Sequence, residues 1–155
     1  MAITTSSGAK VYIGPVTSAT TLSALAALSY TEIKRVESIG EIGPQSQDVP
    51  FTPLDGDVQH LKGVTDNGST VIVCARDPLD PGQIAAEAAA ATKFEYALKI
   101  VLADGADAND TDTVIYVRGP VMSSRRNIGG GNQVTIVTYT VGNNVFREDP
   151  SEAVS

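Results

Sequence analysis

The sequence predicts a mainly β protein: an antiparallel β-sandwich or partly closed barrel with one flanking α-helix and one long inter-strand loop. Three observations predict it. Glycine, threonine, valine and alanine are plentiful, tryptophan is absent and aromatics make up only 5% of the chain, a balance that favours strands and turns over a helical bundle. The order of patterns is several strand-like runs, one capped helical run, then several more strand-like runs, which reads as a sheet fold with a helix on its side. The connections are short except for one polar excursion near the middle of the chain, and hairpin loops ordinarily span about two to five residues. At 155 residues the chain is expected to be a single domain over 1–155, with a flexible N-terminal arm at 1–8 and a trailing acidic tail at 145–155.

The elements follow in order. Lys10-Val11-Tyr12-Ile13 is a short strand ended by Gly14-Pro15. In Val16 to Ser29, Leu22, Leu25, Ala26 and Leu28 stripe a short helix, but serine and threonine dilute it, and a packed loop with one helical turn is an equal reading. Glu32 to Ile39 is a strand-like run that breaks at Gly40 and Gly43-Pro44. The chain resumes extended over Gln45 to Thr52, with Val49 and Phe51 on one face and Ser46, Asp48 and Thr52 on the other. Thr70 to Arg76 is nearly continuous in apolar residues, which predicts burial on both faces.

Asp80-Pro81-Gly82-Gln83 is the clearest local signal. Asp80 suits the N-cap, Pro81 the first helical position, and Gln83 is spaced to close a capping box. The helix runs to about Ala91, with Ile84, Ala85 and Ala88 as its small packing face. Phe94 to Leu102 alternates cleanly, placing Tyr96, Leu98 and Ile100 on one side and Ala97, Lys99 and Val101 on the other. Asp112 to Arg118 is a further strand, and Gly119 to Asn132, with Arg125-Arg126 and Gly129-Gly130-Gly131, reads as a mobile loop. Gln133 to Val141 is a β-branched strand before the Gly142-Asn143-Asn144 turn.

The excursion from Pro53 to Asn67 is not low in complexity. Phe51, Leu54, Val58, Leu61 and Val64 recur along it and need a surface, which a single small domain hardly provides. The loop is therefore expected to reach a neighbouring copy.

Little in the chain suggests chemistry. The formal charge of −7 argues against a protein that grips nucleic acid, since phosphate binding needs lysine and arginine. His60, the single histidine, has only Asp55 and Asp57 close in sequence, and an exposed or interface role outweighs a general base. Cys74, the single cysteine, lies in an apolar strand and reads as a buried thiol, with an intracellular folding compartment as the default. The run Asp104 to Asp112 lacks the glycine and closing glutamate of a calcium loop, so a solvated turn is favoured. The glycine run is not a phosphate loop, and Arg125-Arg126 is most simply paired to an acidic neighbour. No catalytic, cofactor or metal site is expected, nor a secretory signal or membrane span.

The order of Tyr30-Thr31-Glu32-Ile33, Val36 to Gly43, Leu61-Lys62-Gly63, Asp66-Asn67-Gly68, Asp80-Pro81-Gly82-Gln83 and Phe94-Glu95-Tyr96 resembles the tail tube (major tail) proteins of long, flexible-tailed, siphovirus-type bacteriophages. The resemblance spans Lys10 to Gly142. It implies a non-enzymatic virion protein whose hexameric rings stack into a hollow tail tube, assembled in the host bacterial cytoplasm. DNA passes through without specific binding. The implied partners are other copies and the tape-measure, tail-tip and tail-terminator proteins. The long loop would supply the inter-ring contact through Pro53, Leu54, Asp55, Val58, His60, Leu61, Lys62 and Val64. Ser46, Asp48 and Thr52 are the candidates for the lumen wall, where acid would repel phosphate. The competing readings are another ring-forming, secretion-tube or decoration protein, a monomeric β-sandwich binding module, and an enzyme.

Overall fold

The computed structural model describes residue 3, residues 5–105 and residues 111–150. Its strands are β1 (Lys10–Val16), β2 (Thr31–Ile33), β3 (Val36–Ile39), β4 (Gln45–Phe51), β5 (Gln59–Asp66), β6 (Ser69–Ala75), β7 (Glu95–Val101), β8 (Val114–Asn127), β9 (Ile136–Gly142) and β10 (Val145–Asp149). Helix α1 is Leu22–Ala26 and helix α2 is Pro81–Ala90. One sheet has the order β2-β1-β7-β8-β10 and the other β8-β9-β6-β3, all antiparallel, and the two share β8. The result is the expected antiparallel sandwich rather than a closed barrel.

β8 is the element that differs most from the sequence reading. Gly119-Pro120 reads as a break, yet the strand runs through it to Asn127. The first half of β8 pairs with β7 and β10, and its second half pairs with β9. At the junction Gly119 lies so close to Gly142 that a Cβ would fall 1.6 Å from the Gly142 carbonyl oxygen. Pro120 sits opposite Glu95, the first residue of β7, so its missing N–H falls where that ladder ends. The expected mobile loop shrinks to the stretch after Asn127. Val145–Asp149, expected to trail off, is instead β10, held in register from Val145 opposite Arg118 to Asp149 opposite Val114.

The chain also changes sheet between β2 and β3, which the sequence reads as one strand. Arg35 has φ 64°, and that left-handed residue turns the chain from the edge of one sheet to the edge of the other. β1 passes Gly14-Pro15 through a bulge and pairs again at Val16.

The main core lies between the sheets and beneath α2. Its largest members include Ile33, Ile72, Leu98, Ile100 and Tyr139, all almost wholly buried. A smaller cluster on the outer face of the first sheet joins Leu25 of α1 to Ala97, Tyr116 and Val145. α1 is a real though short helix, with Thr21 accepting from the Ala24 amide. β6 alternates instead of burying both faces. Thr70, Ile72 and Cys74 are buried, while Val71 and Val73 are half-buried.

α2 begins as expected, with the Asp80 carboxylate accepting from the Gln83 amide at 3.2 Å. The capping box is not closed. The Gln83 side chain, wholly buried, accepts from the Asp77 amide and donates to the carbonyls of Lys34 and Ala75 at 3.1 and 2.8 Å. It thereby ties the β2–β3 crossing to the end of β6. The packing face of α2 is Gly82, Ala86 and Ala89 with part of Ala85, whereas Ile84 and Ala88 are exposed. Gly82 sets that register, because a Cβ there would meet the Glu32 carbonyl at 2.1 Å.

Replacing Gly119 by alanine is expected to cost about 3 kcal/mol, since the added methyl would overlap backbone that cannot yield locally. Gly130→Ala adds its methyl to open space and is expected to change stability by less than about 0.5 kcal/mol. Urea unfolding midpoints of the two variants check both values.

Candidate interaction site

The expected long loop is mostly a strand. Asp66 to Ser69 is a tight turn, β5 occupies Gln59–Asp66, and only 52–58 remain as a connecting loop. Among the described residues β4 and β5 pair only with each other, and no other element packs substantially against them. A seven-residue strand at about 3.3 Å per residue carries the tip roughly 23 Å from the body. The miss has a physical cause. β5 buries neither face, so its sequence lacks the apolar alternation that marks a strand at the edge of a core.

The base of this arm is tied down. Thr70 Oγ1 donates to Asn143 Oδ1 at 3.0 Å, Asn143 Nδ2 donates to the Asn67 carbonyl at 3.4 Å, and Asn67 Nδ2 donates to the Asn144 carbonyl at 3.2 Å. Asp66 caps the Gly68 amide at 2.9 Å, and Gly68 adopts φ 73°, a turn conformation that glycine accepts freely.

The register places Asp48 opposite Lys62, Pro50 opposite His60 and Ser46 opposite Thr65 on one face. Val49 opposite Leu61, with Phe51, forms the other. The expected lumen residues Ser46 and Asp48 therefore share one arm with the expected inter-ring residues His60 and Lys62. Thr52, Pro53, Leu54, Asp55 and Val58 form or flank the tip. Ser46 Oγ lies 3.1 Å from Thr65 Oγ1, and His60 Nδ1 lies 2.9 Å from Asp48 Oδ2. Asp48, not Asp55 or Asp57, is the histidine's carboxylate. That dyad is exposed to solvent on both sides. Apolar side chains are strongly exposed along the arm: Phe51 by 57%, Leu54 fully, Leu61 by 56% and Val64 by 76%.

A cleft opens at one end of the sandwich. It has a volume of about 250 Å³ and is lined by Val36, Ile39, Ile42, Ile100, Leu102 and Ile115, with Ser6 and Ala9 at its mouth. It is smaller than the roughly 300–1,000 Å³ of usual small-molecule sites. Across Ala9 and Val36 it continues into a groove carrying Lys10, Lys34 and Arg35, with Glu32 beside them. Arg35 is held loosely by Asp77 at 3.9 Å. No sequence signal marks this surface, because its residues come from β1, β2, β3, β7 and β8, spread along the chain.

The remaining reactive groups are locked into structure. Burial, aided by the Asp80 charge, pushes the Cys74 thiol up to about 12, the reverse of an activated nucleophile. Burial and neighbouring Tyr116 push the Tyr30 hydroxyl up to about 12, and it donates to the Leu25 carbonyl at 2.7 Å. Arg126 finds its acidic neighbour in Glu87, at 2.5 Å, which Arg76 also reaches at 2.7 Å. Asp104 accepts from the Thr113 hydroxyl and amide, which hold its carboxyl below the usual range. The middle of the acidic run, 106–110, lies outside the described residues, as does 151–155 of the expected tail.

No protein-family model and no curated protein matches the sequence. Solved structures do match. The SPP1 tail tube aligns with a TM-score of 0.65 at 15% identity, covering 95% of this chain and 78% of that one. The sheath/tube terminator of an extracellular contractile injection system, PVC, aligns with a TM-score of 0.63 at 11% identity, covering 91% and 92%. A chain of the anti-feeding prophage baseplate aligns with a TM-score of 0.67 at 12% identity, covering 97% and 98%. The chain has the fold of phage tail tube and injection-system tube proteins, as the resemblance implied. At these identities the likeness is one of fold.

The raised Cys74 and Tyr30 values set a pH prediction. Both groups stay neutral in the fold while the unfolded chain ionises, starting near 9.0 for the thiol and 10.0 for the phenol. Their stabilising contribution is therefore complete below pH 9 and is lost as pH rises toward about 12. Melting temperature is expected to fall steadily between those limits, and Cys74→Ala should make the fall shallower. In native protein at pH 8 a thiol reagent should not label Cys74, and denaturant should release it.

Proposed function

We propose that the chain is the structural subunit of a siphovirus-type phage tail tube, self-assembling into stacked hexameric rings whose lumen conducts DNA during ejection. The observation that carries this reading is the β4–β5 arm: a hairpin with apolar side chains and no covering partner, projecting from a fold shared with tube proteins. A free-standing hairpin is marginally stable in water, so the arm makes physical sense when a neighbour covers it. Identical subunits joined through unlike surfaces close into rings or extend into filaments.

In this reading Leu54, Val58, Leu61 and Val64, with Pro53, Asp55, His60 and Lys62, make the inter-ring contact. Ser46, Asp48 and Thr52 face the lumen, where the Asp48 charge repels phosphate and keeps DNA from adhering. The partners are other copies and the tape-measure, tail-tip and terminator proteins, the place is the virion after assembly in the host cytoplasm, and the role is not enzymatic. A second reading, a subunit of a discrete ring, is favoured by the likeness to a tube terminator and a baseplate chain. Electron microscopy of purified protein across a concentration series separates them. Long hollow tubes of uniform width support the first, isolated rings the second, and a monomer that stays so with tail-tip and tape-measure proteins added rejects both.

Leu54→Asp is expected to raise the concentration needed for tubes by at least roughly tenfold, because an apolar side chain contributes about 1.5–3 kcal/mol when buried. The melting temperature should not move, since Leu54 is fully exposed in the free chain. Asp48→Asn and Asp48→Lys are expected to slow DNA ejection progressively, the lysine more, with tube formation checked first because Asp48 also faces His60 and Lys62. Normal ejection and infectivity in both would remove the electrostatic role.

A further inference from the structure

The apolar cleft and the arm tip are complementary in two respects. The tip presents Phe51, Leu54 and Val58, all exposed, beside the carboxylates Asp55 and Asp57. The cleft offers Val36, Ile39, Leu102 and Ile115 as a floor, and its adjoining groove carries Lys10, Lys34 and Arg35. Glu37 lines the cleft, Glu32 the groove, and Arg35 is already 3.9 Å from Asp77, so the exposed Lys10 and Lys34 are the cations that most favour an acidic visitor. An acidic tip with an apolar point thus matches a basic groove with an apolar floor. The tip is exposed in its own chain, so its own cleft is not its seat.

We propose that the tip of one copy docks in this cleft of a second copy, with Leu54 entering the floor and Asp55 and Asp57 facing Lys10, Lys34 and Arg35. This rests on the tube reading and names the receptor for its arm. The cleft's modest volume suits aliphatic side chains better than a cofactor. Each copy carries both halves of the contact, tip and cleft, so the interface is heterologous and propagates from copy to copy. The charged pairs fix which end of the arm enters and exclude a tip meeting another tip, where four carboxylates would converge.

Charge reversal tests the contact. Asp55→Lys with Asp57→Lys reverses the tip, and Lys10→Glu with Lys34→Glu reverses the groove. All four residues are exposed and the fold is expected to survive, checked by circular dichroism and melting temperature. Each reversed protein should need a roughly tenfold higher concentration to form tubes, as like charges then face each other. The combined variant, reversed on both sides, should recover assembly. Reversed proteins that form tubes at the wild-type concentration, or a combined variant no better than its parents, overturn this contact and leave the tube reading standing. Wild-type protein that never forms tubes with its tail partners removes both.

Discussion

The architecture depends on the close approach of β8 to the β9–β10 ribbon at Gly119 and Gly142. Both strands bend there together, so a single long hairpin contributes its outer half to one sheet and its inner half to the other. Two sheets that share a strand cannot slide against each other. Their relative setting therefore follows from one backbone contact that no side chain would permit. The asparagine turn after β9 sits at the same bend, with the Asn144 amide donating to the Arg118 carbonyl at 2.8 Å.

The bend also sets the arm. Asn143 bonds to both Thr70 and Asn67, so the turn that ends β9 holds the turn that ends β5. Rigidity at the base and exposure along the shaft are consistent with a strut that aims side chains away from the body. On the opposite side of the chain's path, Gln83 performs a similar task. By bonding Asp77, Lys34 and Ala75 it fixes the crossing that carries Lys34 and Arg35 to the mouth of the cleft. The arm and its proposed receptor are thus each positioned by a polar side chain that is nearly or wholly buried, Asn143 for the one and Gln83 for the other.

Electrostatics inside the domain are local. Glu87 on α2 gathers Arg76 and Arg126 from the second sheet, and Arg118 reaches the Ser18 and Ala19 carbonyls that precede α1. Lys99 lies over the rings of Tyr12 and Tyr30 at 4.5 and 5.0 Å, an arrangement that covers the outer face of the first sheet without a second layer of strands. The carboxylates of the arm tip have no such partners among the described residues, which is the difference that marks the tip as an external surface.

Local signals were legible where they act locally. The capped start of α2 at Asp80-Pro81, the alternation of β7, the apolar run of β6 and the sandwich class itself follow from periodicity and turn chemistry. The sequence also reads Phe51, Leu54, Leu61 and Val64 as side chains with no seat in the domain, and all four are exposed. What failed were the features that a distant contact decides. Gly119-Pro120 is a breaker by composition and a crossing point by tertiary pairing. Gln83 has the spacing of a capping box, but three backbone groups outside the helix, at Asp77, Ala75 and the distant Lys34, compete for its amide and win. The tail from Val145 looks acidic and loose until β8 offers it a ladder. The cleft had no linear signature at all, because β3, β7 and β8, far apart in the chain, build it together. Sequence by itself determined which segments bury apolar area and where the chain turns, since those follow from side-chain type and spacing. Only the tertiary structure decided which strands meet, where they bend and what surface they leave open, since those depend on backbone approach between residues far apart in the chain.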